Sequence, residues 1–78
     1  MTQPLKTGDL VRLNGRYRGK VVLASENGRS VMVALEDGLR IGGGILLNFA
    51  PLLIDYEKET VTELVTGAPI EVEVAETT

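Results

Sequence analysis

The sequence contains no cysteine and no histidine. Without cysteine there is no disulfide staple, no thiolate nucleophile and no thiolate zinc site. Without histidine the usual general base near neutral pH and the commonest metal ligand are missing, and no Ser-His-Asp or Cys-His arrangement can form within the chain. Tryptophan is also absent, and the aromatics are one phenylalanine and two tyrosines, so a core must be aliphatic. No apolar run reaches the roughly 20 residues a spanning helix needs. The opening MTQPLKTGD lacks an apolar signal-peptide region, and no Asn-x-Ser/Thr site follows Asn14, Asn27 or Asn48. The expectation is a soluble, cytoplasmic domain.

What is present is apolar and short. Seventy-eight residues make one domain, with residues 1–7 and 75–78 expected to fray. A hydrophobic content of 44% is too high for a disordered chain. Charge is unevenly spread: residues 1–40 hold seven cations against four acids (+3), and residues 41–78 hold Lys58 against seven acids (−6). Such an asymmetry speaks to partners rather than to fold.

Period-2 alternation and turn dipeptides dominate. Asp9–Leu13 reads as a strand stopped by Asn14-Gly15, and Arg16–Gly19 as a loop leading into a strand over Lys20–Ser25. Asn27-Gly28 then marks a hairpin, since both turn positions need positive φ. Ser30–Glu36 is the return strand, with Val31, Val33 and Leu35 on one face. Asp37-Gly38 reads as a second such turn. Gly42-Gly43-Gly44 interrupts the next strand as a bulge, a bend or a place where another backbone comes close. Ile45–Ala50 fits a strand or a short helix, ended by Pro51 in either case. Leu52–Tyr56 and Thr60–Val65 flank Glu57-Lys58-Glu59 as a third hairpin. Ile70–Val74 is a strand with Ile70, Val72 and Val74 inward and Glu71 and Glu73 outward, the acids guarding an edge.

Residues 8–37 resemble the KOW motif of several ribosomal proteins and transcription-elongation factors. Gly8-Asp9, Gly15, Arg18-Gly19-Lys20 and Val31/Val33 carry the resemblance. It implies an SH3-like barrel and a basic loop that contacts RNA or protein. The sequence departs from the motif just after Gly19-Lys20, where Val21-Val22-Leu23 replaces a glycine, and its loop before the return strand is shorter.

Other chemistry is thin. Gly15–Val21 has one residue too few between its glycines for a phosphate loop, and Val21 cannot replace the magnesium-binding hydroxyl. Glu57, Glu59 and Glu63 lack calcium-loop spacing and read as solvated acids. No catalysis, cofactor or metal is expected.

The fold expectation is therefore all-β: a small SH3-like barrel or a compact antiparallel sheet pair of six to seven short strands. Its expected core is Leu10, Leu13, Val21, Leu23, Val31, Val33, Leu35, Ile41, Leu47, Phe49, Ile54, Leu64, Val72 and Val74. Leu39–Tyr56 (LRIGGGILLNFAPLLIDY) is the longest nearly uncharged run and is apolar on both faces, more than a one-layer barrel can cover. The functional expectation is a non-enzymatic assembly or adaptor module, contacting itself or another protein through Gly43, Leu46, Phe49, Pro51 and Leu53. The alternative is a nucleic-acid contact through Arg12, Arg16, Tyr17, Arg18, Lys20 and Arg29, where cations and one aromatic suit phosphate and base.

Overall fold

A computed structural model describes residues 4–41 and 43–75. Gly42 and the outermost parts of the expected frayed ends, 1–3 and 76–78, lie outside the described residues. The fold is all-β, with strands β1 (Leu10–Leu13), β2 (Tyr17–Ala24), β3 (Ser30–Ile41), β4 (Ile45–Asp55), β5 (Thr60–Glu63) and β6 (Val72–Val74). They form one antiparallel sheet in the order β5-β4-β3-β2-β1-β6, curled into a half-barrel compatible with a small SH3-like barrel. The tail links the two ends of the sheet. Ile70 N–H bonds Val61 O on β5, and Ala75 N–H bonds Leu10 O at β1.

The core is aliphatic and one-sided. Val11, Leu13, Val21, Val33, Leu39, Leu52 and Ile54 are essentially inaccessible to solvent. Alternation along β3 places Val31, Val33 and Leu35 inward, opposite Leu52 and Ala50 on β4. Several expected core residues face water instead: Leu10, Leu23, Phe49, Leu64 and Val74 are exposed, while Leu47 and Val72 are half-buried against the core. On β1 and β2 the inward residues are Val11 and Val21, because Leu10 pairs with Lys20 on the outer face.

Four local readings change, and the open one at Ile45–Ala50 resolves to strand. Tyr17-Arg18-Gly19 belongs to β2, and Gly19 is there for room: a Cβ would lie 2.5 Å from Val33 Cγ1 and 2.9 Å from the Ala34 carbonyl. Asp37-Gly38 is not a hairpin turn. It lies inside β3 in a bulge between the pairs Ala34↔Phe49 and Leu39↔Leu47, and Gly38, at φ 80°, takes up the left-handed backbone this requires. The hairpin turn includes Gly43-Gly44, where Ile41 pairs with Ile45 and Gly44 N–H returns to Ile41 O. Among the described residues nothing lies within 4 Å of a Cβ added at Gly43 or Gly44, so turn geometry accounts for these two without a close backbone approach. Ile45–Ala50 is strand, and β4 continues through Pro51.

Pro51 is tolerated because of what its nitrogen faces. The bond from Ile54 N–H to Arg29 O sets the alternation of the β3–β4 ladder, and two-residue steps from it leave Pro51, opposite Met32, at a position where β4 donates nothing to β3. On the other side the β4–β5 ladder runs only from Asp55 to Leu52. The Pro51 carbonyl accepts one last bond from Leu64 N–H, and the missing donor ends the ladder there.

Leu5, expected in the frayed start, is buried. Tyr56 pins it: the Tyr56 hydroxyl donates to Gly28 O (2.6 Å) and accepts from Leu5 N–H (3.1 Å). The carboxy-terminal alternation also fades, with Ile70 buried and Glu71, Glu73 and Val74 exposed.

Candidate functional site

The basic set comes together only in part. Pairing of β1 with β2 sets Arg12 opposite Arg18 and Leu10 opposite Lys20, so Arg12, Arg18 and Lys20 line one open depression on the outer face. Glu36, on the β3 bulge, lines it too, and Arg12 faces Glu73 across β6. Arg16 stacks on Tyr17 with its guanidinium carbon 5.0 Å from the ring centroid, which covers one aromatic face that a base would use. Arg29 is not part of this group. It lies five residues from Ala34 along the β3 strand, roughly 16 Å by strand rise, because the Asn27-Gly28 turn folds toward Tyr56, Pro4 and Leu5.

The apolar set divides as well. On β4 the alternation Ala50, Leu52, Ile54 inward leaves Phe49, Pro51 and Leu53 outward, with Phe49 58% and Leu53 48% exposed. Beside them on the outer face are Met32, paired with Pro51, and Leu23, paired with Met32. Leu46 sits above the bulge, where a Cβ on Gly38 would meet its Cδ1 at 2.7 Å. Gly43 is at the hairpin tip, away from the Phe49–Leu53 row. Among the described residues, no strand pairs with Ile45–Ala50 on the side away from β3. Ile45, Leu46, Leu64 and Val65 are also exposed along this margin.

Glu63, expected as a solvated acid, is buried. Its carboxylate accepts from Val65 N–H (2.5 Å), Thr66 N–H (2.8 Å) and the Thr66 hydroxyl (2.7 Å). Burial pushes its pKa up, but the Thr66 hydroxyl and the two backbone N–H groups outweigh that and hold it below the ordinary glutamate value. The motif Glu-x-x-Thr-Gly was the available signal. It organises the turn that follows β5, closed by Gly67 N–H to Glu63 O. Asp55 does similar work at the β4–β5 turn. Its carboxylate accepts from Lys58 N–H and Glu57 N–H, and these contacts, led by Lys58, keep its pKa low.

Among the described residues no group of acids is arranged to hold a metal ion, and no helix is long and apolar enough to cross a membrane. Compared with known proteins, the chain matches no family model, no curated protein and no solved structure.

Proposed function

We propose that the chain is a non-enzymatic assembly module that works by protein–protein contact, with a second copy of itself as partner and the outward residues of β4 as the contact. One observation carries this reading. Exposed large apolar side chains gather on β4 (Ile45, Leu46, Phe49 and Leu53), in a stretch with no charged residue between Arg40 and Asp55, and Leu64 is exposed where β5 ends. Single exposed apolar residues are ordinary, but a contiguous group marks an interaction surface. The cations do not form an equally continuous surface, since Glu36 and Glu73 interrupt them and Arg29 lies apart.

Sedimentation across a concentration series tests the reading. The expected result is a discrete oligomer of the 8.4 kDa chain that Phe49→Glu dissociates while the β circular-dichroism signature survives. A monomer at every concentration, or an oligomer indifferent to Phe49→Glu, overturns it.

A further inference from the structure

We infer that two copies join edge to edge, β4 against β4 about a two-fold axis, extending each sheet into the other. The inference rests on the self-association reading above and specifies its geometry. An unpaired strand margin presents N–H and C=O groups ready to pair, and proteins that remain monomeric guard such margins with charge, proline or extreme shortness. Here the margin carries no charge from Ile41 to Ile54. Its guards stand at the two ends: Pro51, where β5 already covers β4, and the Arg40 guanidinium, which donates to Gly44 O at the hairpin tip.

The ends of the open segment fix how a partner fits. At one end the chain turns at Gly43-Gly44, and at the other the Pro51 carbonyl is taken by Leu64 N–H. An incoming strand has only Ile45 to Ala50 available. Two identical strands related by a two-fold run antiparallel, and one residue must then face its own copy. The middle of the segment falls on Leu47 and Asn48, of which Asn48 is exposed. Its side-chain amide both donates and accepts, so it is complementary to itself. The same arrangement brings the hairpin tip of one copy, bare of side chains at Gly43 and Gly44, against the end of β5 in the other. There the exposed Leu64 and Val65 gain cover from Ile45 and Leu46 of the neighbouring copy. The exposed parts of these apolar residues and Phe49 come to roughly 500 Å² per copy, about 1,000 Å² for the pair, the lower bound for a specific interface. A second copy supplies the same uncharged, equally long margin; a charged partner strand would bury unpaired charge against it.

The absence of cysteine makes the test direct. Asn48→Cys and, separately, Leu53→Cys are incubated with oxidised glutathione, which accepts the two electrons released when two thiols join. Leu53 is on the outer face within the part of β4 that β5 covers, opposite Thr62. The expected result is a covalent dimer for Asn48→Cys, since directly opposed residues have Cβ atoms about 5 Å apart, with Leu53→Cys left uncrosslinked. In the unmodified chain, amide exchange at 45–50 slows as concentration rises. Crosslinking at Leu53→Cys but not at Asn48→Cys, or exchange at 45–50 indifferent to concentration in a sample that sediments as an oligomer, overturns edge pairing and leaves self-association through the outer face standing. A monomer at all concentrations overturns both.

Discussion

Ala50–Ile54 and Ile45–Phe49 are halves of one strand and equally apolar, yet their surroundings differ. In the first, β3 lies on one side and, from Leu52 onward, β5 on the other, and Ala50, Leu52 and Ile54 are sealed in the core. In the second half β5 has ended and β3 bulges away at Leu35–Gly38, so Ile45, Leu46 and Phe49 remain in contact with water. Hydrophobicity supplies the same driving force in both halves. Whether it is satisfied within the chain depends on the neighbouring strand, and where β5 stops the surplus is left for another molecule.

The largest effects should separate the two halves. Leu52→Ala removes a fully buried side chain and should cost about 2–5 kcal/mol in denaturant unfolding. Phe49→Ala, on the exposed half, should change monomer stability by no more than about 0.5 kcal/mol while weakening association. If Phe49→Ala costs as much as Leu52→Ala in dilute monomer, the halves are not distinct and the Phe49 ring is core.

A smaller effect concerns how β5 ends. Glu63→Gln replaces an acceptor-only group by an amide that cannot accept all three bonds at once, and should destabilise by about 1–3 kcal/mol. Because the folded pKa of Glu63 lies below its unfolded value, its contribution is fully present above about pH 4.3 and is lost as pH falls through the folded pKa. Asp55 acts in the same direction, so the informative quantity is the difference in acid unfolding between the parent chain and Glu63→Gln. That difference should shrink toward low pH. A constant difference would mean that the carboxylate's charge contributes nothing to holding the turn.

The smallest expected effect is on the opposite side of the sheet. Arg12, Arg18 and Lys20 share their depression with Glu36, so mixed single- and double-stranded oligonucleotides should show no measurable binding even at about 50 mM salt, where phosphate contacts are strongest. Salt-sensitive binding that Arg12→Ala with Arg18→Ala removes would shift the functional weight from β4 to the basic face.

Much of the strand structure was legible because it is local. Asn27-Gly28 lies between two β-rich runs and the hairpin is there, although Gly28 alone takes the positive φ expected at both positions. Val31, Val33 and Leu35 alternate and are buried together. Asp37-Gly38 has the same turn chemistry as Asn27-Gly28 but became a bulge, because β3 must serve β2 with its first part and reach Leu47 on β4 with its last. Pro51 was read as a strand end, and it does end a ladder, though on the side that only the position of β5 identifies.

The sequence by itself determined an all-β chain with an aliphatic core, uncharged from Ile41 to Ile54, since turn backbone angles, alternation and the absence of charge are properties of neighbouring residues. Only the tertiary structure decided which apolar residues are covered. Leu5 is sealed by Tyr56 from 51 residues away, Glu63 is buried while its neighbour Leu64 is not, and β4 is paired on both sides only over Leu52–Asp55. Burial depends on which segments meet across the fold, and the local pattern gives a strand the same two apolar faces whether a neighbour arrives or not.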